Sequence, residues 1–357
     1  MLSFLLVPLY TSEAVLSSPA EYGKVSVIFS YFVLFNVILA YGMETAFFRY
    51  FNMEEDKEKV IGTSTVSLLI SSLGFFVIAL LLQDQISNFI DIDVKYINLV
   101  IWILLLDALV IIPFAWLRAN EKPTRYAIIK IMNVCVNIGL NLFFLLALKN
   151  VATTSGLFET IYRPNFEISY IFIANLVASA FTLVLMASFY IKLKYKFDRN
   201  LWKQMMRYAL PVLIAGIAFS INETFDRILL KELLPSDIAE NEIGMYSACY
   251  KLALFMTLFA TAYRLGIEPY FFSHAKSENP QKNYANILEF FVAFGSIILL
   301  TVVVFADVLK PFIIRSEAYW EAMWIVPIIL LANFCLGIYH NLSVWYKITD
   351  RTKFGAY

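Results

Sequence analysis

Long stretches without Asp, Glu, Lys or Arg constrain this 357-residue sequence more than any other feature. Four of them run over 25–43, 60–83, 168–191 and 322–346. A helix rises about 1.5 Å per residue, so roughly 20 apolar residues cross the hydrocarbon core of a bilayer, which is about 30 Å thick. One such stretch fits a buried helix of a soluble protein, but this many do not. The sequence therefore predicts an all-α, polytopic membrane protein.

Composition excludes several other classes of protein. Only 16% of the residues are charged, against about 25% in an average soluble domain. The formal net charge is zero, which gives no electrostatic basis for binding nucleic acid. The three cysteines form no C-x-x-C pair, and two histidines are too few for a metal cluster. We therefore expect no metal and no cofactor.

We expect a short helical segment at 1–11, followed by nine membrane helices. Flanking charges and Pro or Gly set the helix ends, because such helices are apolar on all sides. The predicted helices span 21–43, 59–82, 96–117, 125–148, 168–191, 208–231, 242–268, 284–306 and 322–346. Lys and Arg number 17 in the loops near 49–59, 118–125, 192–207, 274–283 and 347–353, and 7 in the alternate loops. The positive-inside rule places the first set of loops in the cytoplasm.

An internal repeat divides the chain into two lobes. EYGKVS at 21–26 recurs as EIGMYS at 242–247, and GMETAFF at 42–48 recurs as GIEPYFF at 266–272. A third match joins WLRANEKPTRYA, from Trp116, with WYKITDRTKFGA, from Trp345. Nearly constant offsets that span six helices predict parallel repeats, as in large transporters.

The repeat also sets the expected domain organisation, a bundle of two pseudo-repeated six-helix lobes. We expect an N-terminal lobe at 1–191, a cytoplasmic linker with a basic interfacial helix at 192–206, and a C-terminal lobe at 207–357. In this scheme the segment at 1–11 is a first helix that lacks its opening half. The repeat partners of the helices predicted at 125–148 and 168–191 would lie beyond the last residue. The expectation is therefore a fragment of a protein with at least twelve helices.

Charged side chains inside the predicted helices are candidate site residues, because each costs at least about 2.5–3.5 kcal/mol to insert. Glu223, Asp226 and Arg227 lie at i, i+3 and i+4, so Arg227 can pair with Glu223. This cluster is either a structural ion pair or a cavity wall that binds phosphate or couples an ion. Lys251 lies roughly 12 Å into its helix, which favours a function. Asp107, near the midplane, is the best candidate for binding a proton or cation; its alternative is a hydrogen bond to a neighbouring helix.

Five further charges lie nearer to the helix ends. Arg264 and Glu268 repeat the i, i+4 spacing, for which a structural pair is slightly favoured, and Arg264 is long enough to reach the membrane interface. Glu44 and Arg49 close the helix predicted at 21–43, at its cytoplasmic face. Glu44 recurs as Glu268 in the repeat, which favours a role at the helix end, whereas Arg49 is free to contact phosphate. Lys130 is expected to extend to the interface.

Five segments carry a resemblance to a known family. They are VPLYT from Val7, SPAEYGKVSVIFSYF from Ser18, YGMETAFFRYF from Tyr41, TFDRILLKELLP from Thr224 and EIGMYSACYKLALFMTLF from Glu242. Together they resemble the Wzx-type polysaccharide and O-antigen flippases of the multidrug/oligosaccharidyl-lipid/polysaccharide exporter superfamily, which also contains the lipid II flippases and the MATE drug exporters. The resemblance covers essentially the whole chain.

The resemblance implies two six-helix lobes that face each other across a central cavity and open alternately to each side. It implies an undecaprenyl-diphosphate-linked oligosaccharide as cargo, moved to the periplasmic leaflet of a bacterial inner membrane. Membrane lipids, H⁺ or Na⁺, and other polysaccharide-assembly membrane proteins are the implied partners. The candidate cations for its phosphates are Arg227, Lys251, Arg49 and Arg264. The candidate carboxylates for ion coupling or ion pairing are Asp107, Asp226, Glu223, Glu44 and Glu268.

Other function classes stay open at this point. A MATE-like cation-coupled exporter of small amphiphiles shares the fold and would need a compact carboxylate site in one lobe. A membrane polysaccharide polymerase would need a large extracytoplasmic loop with catalytic acids or arginines. The loop at 149–167 offers only Glu159, Arg163 and Glu167. A non-transporting scaffold is disfavoured by the charges inside the predicted helices.

Overall fold

The computed structural model describes residues 2–152, 159–273 and 280–348, and the regular elements within them are all helical. Tight 3₁₀ turns occupy Leu2–Leu6 and Glu317–Ile325, and a wide π turn occupies Phe143–Ala147. The α-helices are α1 (Val7–Tyr10), α2 (Pro19–Ala40), α3 (Met43–Met53), α4 (Lys57–Leu81), α5 (Gln83–Ile90), α6 (Val94–Leu109), α7 (Ile111–Ala119), α8 (Pro123–Leu142), α9 (Leu148–Ala152), α10 (Glu167–Leu185), α11 (Ala187–Lys192), α12 (Arg199–Leu233), α13 (Ala239–Ser273), α14 (Pro280–Val304), α15 (Ala306–Ile313) and α16 (Val326–Ile348).

Nine helical stretches in the described residues are long and apolar enough to cross a bilayer. Each of the nine predicted membrane helices overlaps one of them. Their bounds are Pro19–Met53, Lys57–Leu81, Val94–Ala119, Pro123–Ala152, Glu167–Lys192, Arg199–Leu233, Ala239–Arg264, Gln281–Val304 and Glu317–Ser343. The predicted all-α, polytopic class is confirmed.

The first of these stretches is broken between α2 and α3. Tyr41 and Gly42 both have positive φ, at 32° and 72°, and a Cβ at Gly42 would overlap the backbone carbonyl of Ala209. Glycine is therefore required at position 42 by both conformation and space. The prediction that Glu44 and Arg49 close the helix at 21–43 is wrong, because both lie on α3, which continues to Met53.

A second break separates α6 from α7 and has its cause in Pro113. Proline has no N–H, so the carbonyl oxygen of Leu109, four residues earlier, loses its helical donor. The Tyr190 hydroxyl on α11 donates a hydrogen bond to that oxygen instead. The bend therefore leaves Leu109 satisfied although the regular helical bond is missing.

The linker between α11 and α12 is not a separate helix. Residues 193–198 form no regular element, and the Lys196 N–H donates to the Lys194 carbonyl at 2.7 Å. Residues 199–206 form the first two turns of α12. This segment ends against α4: the Lys59 ammonium is 2.7 Å from an Asp198 carboxylate oxygen, and the Asp198 N–H donates to the Thr63 hydroxyl at 3.1 Å. The separate helix predicted at 192–206 is therefore wrong, because 193–198 form no helix and 199–206 belong to α12. The interfacial position of the segment stays a prediction.

Two compact units divide the described residues, one formed by 3–23 and the residues from 240 on, the other by the residues within 24–239. The second unit is held by a core in which Met43 and Phe47 of α3, Ile112 and Ala115 of α7, and Met205 of α12 are buried together with other apolar side chains. Burial of such side chains against one another fixes α3 beside α7 and α12. The boundaries of the two predicted lobes stay a prediction.

A symmetric pair of glycines lies within the first unit. A Cβ at Gly23 would overlap the carbonyl of Glu240, and a Cβ at Gly244 would overlap the carbonyl of Pro19. The repeat offset of 221 residues relates Gly23 to Gly244, and it relates Pro19 to Glu240. Reciprocal contacts of this kind arise where two copies of one unit are related by a twofold axis. They support the internal repeat, and its parallel orientation stays a prediction.

Candidate functional site

A cavity of about 360 Å³ lies inside the unit formed by 24–239. Helices α2, α3, α6, α7, α8 and α10 all contribute to its wall. Its polar and ionisable lining residues are Asn36, Glu44, Asp107, Arg118, Tyr126, Lys130, Asn133, Asn175, Ser179 and Thr182. This many polar side chains between membrane-spanning helices is unusual, because each is costly in hydrocarbon.

Helical periodicity places these side chains on shared faces. On α8, Tyr126, Lys130 and Asn133 follow one another at steps of four and three residues. On α10, Asn175, Ser179 and Thr182 repeat the same steps. Residues three or four apart share one face of a helix, so both helices present polar stripes. The two stripes line the same cavity.

Asp107 of α6 lies near the middle of the membrane-spanning stretch Val94–Ala119. The Ser179 hydroxyl of α10 donates a hydrogen bond of 2.7 Å to Asp107 Oδ1. Ser179 is only 3% exposed, so this bond is shielded from solvent. The expected hydrogen bond to a neighbouring helix is therefore present, and it orients the carboxylate along the cavity wall. Whether Asp107 also binds a proton or cation stays a prediction.

Asn133 joins α8 to α10 beside that carboxylate. Its amide Nδ2 donates to the Ala178 carbonyl at 3.0 Å and to the Thr182 hydroxyl at 2.9 Å. Thr182 in turn donates to the Ala178 carbonyl at 2.9 Å. Interhelical hydrogen bonds of this type contribute about 0.6 kcal/mol on average in membranes. This network fixes the two polar stripes against each other.

The cavity wall nearer to the helix ends carries a second carboxylate with a cationic partner. Arg118 of α7 forms an ion pair with Glu44 of α3. Its guanidinium carbon also lies 4.9 Å from the ring centroid of Phe48 and 5.3 Å from that of Tyr126. Aromatic faces attract a guanidinium electrostatically. The break at Gly42 is what places Glu44 on a separate helix that reaches Arg118.

The Lys130 ammonium has contacts within the protein. It lines the cavity, and its Nζ lies 4.3 Å from the ring centroid of Phe114. The polar cavity and the ring face both contact the ammonium, and the extension of Lys130 to the interface stays a prediction. The cavity therefore holds two carboxylates, Asp107 and Glu44, and two cations, Arg118 and Lys130.

The cluster on α12 has a different character. Arg227 is buried, and its Nη1 donates to Asp226 Oδ1 at 2.9 Å and to the backbone carbonyl of Glu223 at 3.1 Å. The sequence pattern paired Arg227 with the Glu223 carboxylate through the i, i+4 spacing. The contacts instead join the guanidinium to the shorter side chain of Asp226. Phosphate binding by Arg227, and coupling by Asp226 or Glu223, stay predictions.

The other candidate cations are not among the described residues that line the cavity. Arg49 lies with its guanidinium carbon 4.5 Å from the Tyr208 ring centroid. Lys251 is half-buried on α13, and Arg264 is exposed on the same helix. The side chain of Glu268 lies outside the described residues, so its pairing with Arg264 stays a prediction. The phosphate-binding roles of Arg49, Lys251 and Arg264 likewise stay predictions.

Two charged members of the cavity were not recognised as site residues from the sequence. The place of Lys130 in a site could be predicted, because Tyr126, Lys130 and Asn133 form a polar stripe with Asn137 in a membrane helix. A site role for Arg118 could not be predicted, since a cation near a helix end resembles an ordinary cytoplasmic loop charge.

Comparison with known proteins adds a family and a fold. Residues 1–274 match the family described as polysaccharide biosynthesis protein. No curated protein matches the chain at a significant level. Among solved structures, an inward-facing multidrug resistance MATE family transporter of the MOP superfamily is 15% identical, with a TM-score of 0.63 over 99% of this chain and 84% of that one.

Two further structures give the same result. MATE in its bent conformation is 14% identical, with a TM-score of 0.57 over 100% of this chain and 94% of that one. A MOP superfamily transporter from Pyrococcus furiosus, whose binding pocket is described as reversed in polarity, is 14% identical, with a TM-score of 0.59 over 96% of this chain and 79% of that one. At these identities the likeness shows a shared fold.

Proposed function

Because the chain belongs to the polysaccharide biosynthesis protein family, we propose that it moves a polyprenyl-diphosphate-linked oligosaccharide across a membrane by alternating access. It is a multi-pass membrane protein with a transporter fold. The membrane of the proposal is the bacterial inner membrane, and the direction is from the cytoplasmic to the periplasmic leaflet. The family and the fold support transport rather than polymerisation of the glycan.

The observation that carries the mechanism is the mixed-charge cavity inside one unit of the fold. It holds an oriented carboxylate, Asp107, and a nearby cation, Lys130. A proton or sodium ion that binds Asp107 changes the charge balance of the cavity by one unit. Such a change alters the contacts between α6, α8 and α10, which is how an ion can bias one transporter conformation over another. We assign the cavity to the driving ion, and the cargo to a separate route.

One observation favours a second candidate function, a cation-coupled exporter of small amphiphiles. That function requires a compact carboxylate site within one lobe, and the sequence offered only Asp107 and Glu44 as isolated candidates. The structure brings both into a single cavity. Ion coupling is common to the two candidates, so the cargo is what separates them.

Reconstitution of the full-length protein in liposomes tests the cargo. Lipid-linked oligosaccharide with a fluorescent sugar is placed in the inner leaflet, and its arrival outside is followed with a membrane-impermeant quencher. We expect transfer that depends on the protein and is unchanged by Leu300→Ala, a control at a side chain that is 58% exposed. A small lipophilic cation is supplied to parallel liposomes. Transport of that cation without transfer of the lipid-linked sugar would replace the first function by the second.

A further inference from the structure

A second pocket, of about 290 Å³, lies between the ends of four elements of the unit formed by 24–239. It is lined at the start of α4 by Glu58, at the end of α7 by Trp116, at the start of α8 by Arg125, and at the end of α11 by Lys192. All four places are ends of membrane-spanning stretches or the residues next to them. Because they meet in one pocket, the loops near 49–59, 118–125 and 192–207 share one side of the bilayer.

Cations dominate this pocket. Lys122, Arg125, Lys192 and Lys194 line it together with one carboxylate, that of Glu58. Lys194 Nζ is 2.9 Å from Glu58 Oε2, which neutralises that pair. The remaining three cations have no carboxylate partner among the described residues. Three unneutralised positive charges around so small a volume attract an anion of multiple charge or of concentrated charge.

The contacts of those cations leave their charges available. Lys122 Nζ lies 5.0 Å from the ring centroid of Trp116, and Arg125 Nη2 is 3.3 Å from the Ser188 hydroxyl. Neither the ring nor the hydroxyl carries a compensating negative charge. Arg125 therefore keeps most of its donors for a ligand, and a guanidinium matches phosphate oxygens in a bidentate geometry.

The remaining lining of the pocket is apolar. Ile61, Trp116 and Phe189 lie among the cations, and tryptophan is enriched at headgroup depth in membrane proteins. A free inorganic anion would not bury this apolar surface, whereas the glycerol and first methylenes of a lipid would bury it. Basic pockets between helix ends on the cytoplasmic side are suited to anionic headgroups.

We propose that this pocket binds the phosphate headgroup of an anionic phospholipid of the cytoplasmic leaflet. The phosphate lies among Lys122, Arg125 and Lys192, and the start of the acyl chains lies against Trp116 and Phe189. The bound lipid bridges α4, α7, α8 and α11 at one membrane face. This role is separate from the transport of cargo and does not depend on its identity.

Native mass spectrometry of the purified protein tests the proposal with phosphatidylglycerol and phosphatidylcholine as probes. The test variant is Arg125→Gln/Lys192→Gln. Both side chains are exposed, so their replacement removes charge without disturbing a core. The matched control is Lys196→Gln/Lys203→Gln, which removes two exposed charges on the same predicted side but outside the pocket.

We expect phosphatidylglycerol to bind the wild type more tightly than phosphatidylcholine does. At about 1 kcal/mol, or about fivefold, for each basic residue near an anionic surface, the pocket variant should lose about 25-fold in affinity for phosphatidylglycerol. The control variant should stay close to the wild type. An equal loss in both variants, or equal binding of the two lipids, would overturn the proposal. Inorganic phosphate that binds with this dependence on Arg125 and Lys192, while phosphatidylglycerol does not, would overturn the lipid assignment in favour of a free anion.

Discussion

The bend between α6 and α7 forms part of the wall of the mixed-charge cavity, and a double-mutant cycle tests how it is held. Pro113 leaves the Leu109 carbonyl without its helical donor, and Tyr190 supplies another. Tyr190→Phe removes that hydroxyl but keeps the ring. Pro113→Ala restores an N–H that can bond to Leu109 within the helix. The two substitutions should therefore depend on each other.

The structure sets the size of the effect. Side-chain hydrogen bonds between membrane helices contribute about 0.6 kcal/mol on average and up to about 1.7 kcal/mol. Because Leu109 has no helical donor, we expect Tyr190→Phe to lower the free energy of unfolding by about 1–1.7 kcal/mol, the upper part of that range. In the Pro113→Ala background the same substitution should cost close to nothing. The interaction energy of the cycle then equals nearly the whole cost of Tyr190→Phe.

Equilibrium unfolding of the purified protein in mixed micelles, with increasing dodecyl sulfate, gives the four free energies. Tyr50→Phe is the control, since Tyr50 packs against the same core and its hydroxyl has no hydrogen-bond partner in the described part of the chain. It should change the free energy of unfolding by little in either background. An equal cost of Tyr190→Phe in both backgrounds would refute the role of Pro113 in creating the unpaired carbonyl.

Three other predictions concern charge, topology and the first helix break. Arg227→Ala and Lys251→Ala should each abolish transport at normal expression, whereas the control Leu300→Ala should leave it unchanged. Arg227→Lys should be partly tolerated, because a point charge lacks the guanidinium fork. Wild-type transport rates in both alanine variants would reduce these cations to structural roles. A single cysteine at position 198, in a cysteine-free background, should react with an impermeant reagent only from the cytoplasmic side, and labelling from outside intact cells would reverse the topology. Gly42→Ala, at a φ of 72°, should cost at least about 1–2 kcal/mol of stability, and an unchanged thermal unfolding temperature would contradict the close approach at this position.

The membrane helices were predictable because a bilayer imposes a length and a polarity that charge-free stretches report directly. The breaks within them were not, because each depends on a partner distant in sequence. Pro113 was visible, but the bend it forms is completed by Tyr190, 77 positions further along. Gly42 was visible as a repeat residue, yet its equivalent, Gly266, lies within the uninterrupted helix α13. The superposition of the two repeats therefore stays a prediction.

The candidate site was predictable only in part, for a similar reason. Asp107 and Glu44 were identified singly, because a carboxylate in a membrane helix is costly wherever it lies. The cavity that joins them requires knowledge of which helix faces meet. The stripe through Lys130 and Asn133 carried that information in its spacing, whereas the ion pair of Arg118 depends on the turn at Gly42.

The central claim is that an ion bound at Asp107 drives the movement of a lipid-linked oligosaccharide. Its most direct test is the equilibrium distribution of that lipid between the leaflets of liposomes that contain the full-length protein, under a tenfold gradient of H⁺ or of Na⁺ with the membrane potential clamped at zero. A tenfold gradient supplies about 1.4 kcal/mol per ion, so one ion per cycle should shift the distribution about tenfold. Asp107→Asn should leave the distribution between the leaflets near one to one. The control Ile131→Met, at the exposed position after Lys130 on α8, should behave as the wild type. A distribution that ignores both gradients in the wild type, or an Asp107→Asn variant that still responds tenfold, would contradict the account.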